Sequence, residues 1–368
     1  MKIQSPKLAD FQRILVVKTS SIGDVIHALP VVSLLKSTQP SLQIGWVVRS
    51  KSSSVLEGNP NVDWLHVIAD RTSTNDVTTI RNDLRQHDYQ CALDMQGLFM
   101  SGLITFMSGA PVRIGLDRNR EGNKVFLTHP IVPGQVGRKI GDRHAIDVLL
   151  GFVRALGLED IPAELPAQSY LGGSYIGEVC DEMVDLVGPR IALNVGASTL
   201  YKQWPLGHWV ELAGLLISAG CSVVFVGDGQ DAKRVRQILD EMTALGLFPG
   251  DVRLKQCVDF SGRTNLGKLA AVLQNCSVAV SGDTGPMHLA NAVGLPVVAL
   301  FGSTNPLRTG PYGQKHMVLD MHLSCSPCYR KPTCDGRVDC MTAITPTAAR
   351  NAVGSVLKVR SLEPVPSL

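Results

Sequence analysis

The chain has 368 residues, 45% hydrophobic and 18% charged, with a formal net charge of +3. Its length suits two domains and its composition can bury substantial cores, which excludes a disordered chain. The small net charge and the lack of any nucleic-acid module exclude a wholesale nucleic-acid binder.

No apolar run approaches the roughly 18 residues of a membrane span. The first dozen residues carry Lys2 and Lys7 but no apolar stretch, so they do not resemble a secretory signal. A cytoplasmic protein that touches a membrane surface at most is expected.

Strand and helix patterns alternate from the start, which predicts an α/β chain with parallel sheets and crossover helices. In the first half, strands are expected near 13–18, 43–48, 64–68, 90–94 and 112–115. Helices are expected near 24–37, 76–87, 98–108 and 142–156. The segment Leu158 to Gly173 is rich in Pro, Gly and Ala and approaches a domain boundary. The expected division is 1–175, 176–345 and a C-terminal helix and tail from 346, free to pack back on the first domain.

The turn Lys18-Thr-Ser-Ser-Ile-Gly-Asp-Val-Ile-His27 joins the first strand to the first helix. Small residues at such a turn are where α/β folds place ligands. Asp24 brings a carboxylate there, suited to act as a general base. Helix capping by Ser20, Ser21 or Asp24 is the structural alternative. The turn has neither the dinucleotide-binding glycine pattern nor the Walker A lysine.

The second half restarts the alternation, with strands at 191–194, 222–226, 278–280 and 296–301. Helices are expected at 206–219, 230–244, 265–275 and 286–293, with a last one from Pro346 to Val359. Three of its strand-to-helix turns point toward a phosphate-bearing ligand. Asn194–Ser198 is followed by Lys202, a point charge for phosphate. Gly227–Asp231 places Asp231 where a carboxylate accepts from ribose hydroxyls. Ser281–His288 contains Asp283, Thr284, Gly285 and His288 and starts a helix whose free N–H groups favour an anion. Each turn also has a bland reading as a cap or surface loop. Three at strand ends of one domain favour a nucleotide diphosphate.

Nine cysteines in a chain of this size, without an export signal, do not read as a disulfide framework. Cys325, Cys328, Cys334 and Cys340 form a cluster whose first pair has metal-ligand spacing. A closed zinc site and a reduced, metal-free loop are both open.

The Lys18–His27 turn, Asp94-Met-Gln-Gly97, Lys202-Gln-Trp-Pro205 and Ser281–Leu289 together resemble the ADP-heptose:lipopolysaccharide heptosyltransferases, glycosyltransferase family 9. The first segment is more similar to heptosyltransferase I than to heptosyltransferase II. The resemblance implies a GT-B fold, two Rossmann-like doubly wound domains facing across a cleft. It also implies inverting transfer of L-glycero-D-manno-heptose from ADP-heptose to the Kdo region of inner-core lipopolysaccharide, with no cofactor or metal required. Asp24 is then the base, and Ser198, Lys202, Asp231, Asp283, Thr284, Gly285 and His288 bind the donor. Ala197-Ser198 replaces a common Thr-Thr, and Met100 stands where heptosyltransferase I often has a basic residue.

The acceptor, Kdo-lipid A or an inner-core precursor, is anionic. The stretch 113–143 carries Arg113, Arg118, Arg120, Lys124, Arg138, Lys139 and Arg143, with His144 beside it. These cations either form a solvated face or clamp the acceptor's carboxylates and phosphates. Ser21, Gly23, Arg120, Arg143 and His144 are the acceptor candidates. A monomer in peripheral contact with the inner face of the inner membrane is expected. The alternatives are a family member with another acceptor, a nucleotide-sugar epimerase, or a sensor that binds without turnover.

Overall fold

The computed structural model describes residues 6–70, 74–116, 120–131, 143–168, 170–197, 199–247, 256–329, 334 and 336–360. It divides into two compact units, Met1–Pro166 and Ala167–Leu368.

The first unit runs β1 (Arg13–Val17), α1 (Ile22–Thr38), β2 (Gln43–Arg49), β3 (Trp64–Ile68), α2 (Thr74–Arg85), β4 (Cys91–Asp94), α3 (Phe99–Met107), β5 (Val112–Leu116), β6 (His129–Ile131) and α4 (Ala145–Ala155). Its six strands lie in the order β3-β2-β1-β4-β5-β6, all parallel. Alternate residues of a strand face opposite sides of its sheet. Leu15 and Val17 pack with Ile80, Leu84, Ile104 and Met107 from α2 and α3. Their neighbours Ile14 and Val16 are equally buried. α1 packs along α4 and is buried from Val25 through Val32, as an apolar helix between a sheet and a second helix must be.

The second unit repeats the plan with β7 (Arg190–Asn194), α5 (Leu206–Ser218), β8 (Ser222–Val226), α6 (Asp231–Ala244), β9 (Cys257–Asp259), α7 (Leu266–Gln274), β10 (Val278–Gly282), α8 (Gly285–Ala292), β11 (Val297–Phe301), β12 (Met317–Asp320) and α9 (Pro346–Arg360). The order is β12-β11-β10-β7-β8-β9, again parallel throughout. With β7 taken as its first strand, this is the same doubly wound Rossmann order as in the first unit. Two parallel, doubly wound sheets are the two-domain α/β architecture that the resemblance implies.

Three strands lay outside the sequence expectation: β6, β9 and β12. All are sheet edges of three or four residues, and none contains a fully buried residue. An edge strand lacks the continuous apolar run that marks a central parallel strand.

The expected domain limits also shift. The division falls at 166/167, because residues just after it pack into the second unit. Gln168 donates its N–H to the Ala292 carbonyl at 2.7 Å. Gly172, with φ of +87°, lies so near α7 that a Cβ would come within 2.5 Å of the Ala271 nitrogen. The C-terminal helix is not a separate segment either. Its Ala349, Ala352, Val353 and Val356 belong to the core of the second unit, alongside α5.

Candidate active site

Each sheet reverses its winding at one point, between β1 and β4 in the first unit and between β7 and β10 in the second. Connections leave to opposite sides there and open a crevice at the carboxyl ends of the strands. The motif turns follow those four strands.

In the first unit, Ser21 is the N-cap of α1 and Asp24 its third residue. Ser21 donates to Asp24 Oδ2 from its backbone N–H at 3.1 Å and from its hydroxyl at 3.0 Å. The capping alternative is therefore real, and it occupies one carboxylate oxygen. Lys18 Nζ stands 3.5 Å from the other, with side-chain exposures of 7% for Lys18 and 49% for Asp24. Partial burial favours the neutral carboxyl, but Lys18, the Ser21 bonds and His27 outweigh it and hold Asp24 below the usual carboxylate range. The group is ionised at neutral pH and keeps an open side.

The β4 turn braces this loop. Gln96 Oε1 accepts from the Thr19 and Ser20 N–H groups at 3.1 and 3.4 Å, and the Met95 carbonyl accepts from Lys18 Nζ at 3.3 Å. Asp94 is fully buried and folds the turn by accepting from the Gln96 and Gly97 N–H groups. Burial drives its pKa up, although those bonds oppose the shift. Further along, the rings of His27 on α1 and His144 at the start of α4 meet edge to face at 5.7 Å. His144 Nδ1 accepts from the Ile146 N–H at 3.1 Å, capping α4.

In the second unit, Lys202 and Asp283 come together from the turns after β7 and β10. Lys202 Nζ donates to Asp283 Oδ2 at 2.6 Å and to its carbonyl at 3.0 Å. His288 Nε2 is 3.6 Å from Asp283 Oδ1. Asn194 donates to Ser281 Oγ and Thr284 Oγ1 at 2.9 and 2.8 Å, tying the two turns together. Thr284 is the N-cap of α8 but makes no side-chain cap bond. An uncapped helix start of this kind leaves N–H donors for an anion.

Over residues 77–338, the sequence matches Glycosyltransferase family 9 (heptosyltransferase). The chain belongs to glycosyltransferase family 9. It is similar to the lipopolysaccharide heptosyltransferase 1 of Pseudomonas aeruginosa, with 29% identity over 337 residues, 88% of this chain and 87% of that one. In fold it is similar to the glycosyl transferase family 9 structure from Veillonella parvula (TM-score 0.80, 23% identity, 97% of this chain and 100% of that one). It is also similar to E. coli heptosyltransferase WaaC with ADP-2-deoxy-2-fluoro heptose (TM-score 0.68, 22% identity, 93% and 99%). The protein is thus a glycosyltransferase.

The family 9 turns bring together Ser21, Gly23 and Asp24 in the first unit, and Lys202, Asp283, Thr284, Gly285 and His288 in the second. Asp231 opens α6 after the neighbouring strand β8, against Gly196 and Gly227, where a Cβ on Gly196 would meet its carboxylate. Its Oδ2 closes the β8 turn by accepting from the Asp228 N–H at 2.9 Å. Burial, with the Asp228 charge, pushes its pKa up. Ser198 lies outside the described residues, as do 117–119 and 132–142 of the basic stretch. Arg120 starts a kinked 3-10 segment ending at Phe126, with Glu121 and Gly122 in left-handed backbone at the kink. Arg113 is engaged in structure, bonding the Phe126 and Ala110 carbonyls at 2.7 and 2.8 Å.

Sequence reasoning gave no role to Lys18 or Gln96. Both stood inside quoted motifs, but only the pairing of β1 with β4 makes them neighbours. A further cluster, His66, Asp83 and His87, holds its ligand atoms within 4.8 Å. Its geometry is that of a hydrogen-bonded group around one buried histidine. Both ring nitrogens of His66 are taken, by Asp83 at 2.5 Å and the Tyr89 hydroxyl at 2.7 Å. Among the described residues no helix is long and apolar enough to cross a membrane.

Proposed function

We propose that this protein transfers L-glycero-D-manno-heptose, with inversion, from ADP-heptose to the Kdo region of the lipopolysaccharide inner core. The observation that carries the reading is Asp24: an ionised, half-exposed carboxylate beside Lys18 at the switch point of the first sheet. The kinship with a heptosyltransferase 1 and the fold shared with a heptosyltransferase holding an ADP-heptose analogue support the substrate pair.

Inverting transfer needs one base and a stabilised leaving group, not a second carboxylate nucleophile. The acceptor oxygen attacks the anomeric carbon as the bond to the diphosphate breaks. The hydroxyl proton passes to Asp24, and the charge leaves on ADP. An ammonium has three N–H donors, and two of those on Lys202 are engaged by Asp283. The third, with the start of α8, serves the departing phosphate and meets the electrostatic need without a metal ion. Asp283 and His288 then face heptose hydroxyls, and Asp231 the ribose. Ser21, Gly23, Arg120, Arg143 and His144 bind the acceptor. A lipid-anchored acceptor would hold a cytoplasmic enzyme peripherally at the inner face of the inner membrane.

Mass spectrometry of ADP-heptose incubated with Kdo-lipid A, or with an already heptosylated core, tests the reading. A heptose added to Kdo-lipid A supports it. A product from the heptosylated core alone assigns a heptosyltransferase II-like acceptor, and donor conversion without acceptor assigns an epimerase.

A further inference from the structure

Beyond the transferase site, the second unit gathers four thiols on the carboxyl end of β11. The chain from β12 to the helix Asp339–Thr342 loops back over Gly302 and Ser303, which follow β11. Ser326 Oγ donates to the Gly302 carbonyl and the Tyr329 N–H to the Ser303 carbonyl at 2.9 Å, docking the Cys325-x2-Cys328 knuckle there. Cys340 is 8% exposed and lies where a Cβ on Gly302 would come within 2.7 Å of its Sγ. Cys325, Cys328, Cys334 and Cys340 together line one cavity of about 10 Å³, room for a single water-sized occupant. All four are free thiols.

The loop also needs a constraint. Three of its non-glycine residues, His322, Tyr329 and Val338, have φ between 47° and 50°. Such conformations persist only where surrounding structure holds them. Cys325 and Tyr329 are exposed, so apolar burial of the knuckle is slight.

We propose that Cys325, Cys328, Cys334 and Cys340 bind one thiophilic divalent metal ion, zinc or ferrous iron, as a closed four-thiolate site. Four sulfur ligands lining one cavity are the donor set that such metals take. Binding would release the thiol protons and tie the knuckle to Cys340. The site is structural: β11 pairs with β10, whose end carries Asp283, so the clamp steadies the edge of the donor turn without touching the reaction.

Elemental analysis of the full-length protein, purified without chelator from medium holding both metals, tests this. About one equivalent of zinc or of iron per chain is expected, and the balance of the two identifies the ion. The double substitution Cys328→Ser/Cys334→Ser should lower it at least tenfold, while Cys180→Ser leaves it unchanged. Should the double variant not fold, Co²⁺ added to metal-stripped wild type should give thiolate-to-cobalt charge-transfer absorption. Less than about a tenth of an equivalent with no cobalt band overturns the site. So does metal retained in the folded double variant, a multi-iron content with acid-labile sulfide, or peptide mapping that finds these cysteines paired as disulfides.

Discussion

Lys202 and Asp283 are bound to each other twice, through the Asp283 carboxylate at 2.6 Å and its carbonyl at 3.0 Å. The lysine read as a point charge for phosphate already has two of its three N–H donors engaged, and the carboxylate orients it. Lys202→Ala should weaken ADP binding and lower kcat together, since the charge serves both bound donor and leaving group. It also strands Asp283, whose side chain is 8% exposed, at a cost of about 1–3 kcal/mol in stability. Adding Asp283→Asn to Lys202→Ala should recover part of that stability and none of the activity. Unchanged ADP affinity by calorimetry with an unchanged rate would return Lys202 to an ordinary surface role.

Asp24→Asn keeps an oxygen to accept from Ser21, so helix α1 stays capped, while loss of the charge that faces Lys18 should lower the melting temperature slightly. The base is lost. Turnover should fall about 10²–10⁴-fold, the usual size of a general-base contribution, with ADP affinity near wild type. A variant keeping more than about a tenth of kcat would sink the base assignment.

Lys18 sets the protonation of Asp24. A carboxylate whose folded pKa is depressed adds stability above its unfolded pKa and loses it as pH falls through the folded value. The acidic limb of kcat/KM should therefore lie below the ordinary carboxylate range. Removing the Lys18 charge with the similarly shaped Lys18→Met should raise the Asp24 pKa and move that limb to higher pH. An unmoved limb, with the variant folded, would mean that Lys18 does not tune the base.

Arg120→Ala and Arg143→Ala should raise acceptor KM, leave donor KM alone, and lose their effect as salt is added, as screening of charge attraction requires. His144 has a second task at the start of α4. His144→Asn, which can still cap, separates acceptor contact from the roughly 1 kcal/mol that a lost cap costs. Steady-state kinetics at two ionic strengths decides. Loss of donor affinity in the Arg variants would remove the basic stretch from the acceptor site.

The alternation of strands and helices, the central strands and the four motif turns were legible from residue order, because apolar runs and small-residue turns act locally. So was the cap at Ser21 and Asp24, which spans three residues. Edge strands β6, β9 and β12 were not, since pairing to a neighbour rather than composition makes them strands. Nor were the partnerships that give the site its chemistry. Lys202 meets Asp283 across 81 residues, and Gln96 meets Thr19 across 77. His27 meets His144 only where α1 packs on α4. The first two depend on which strands lie side by side at the switch points, and the third on helix packing. Sheet order is a property of the folded whole, so the sequence determined the groups available for catalysis, and the tertiary structure decided which charge each one faces.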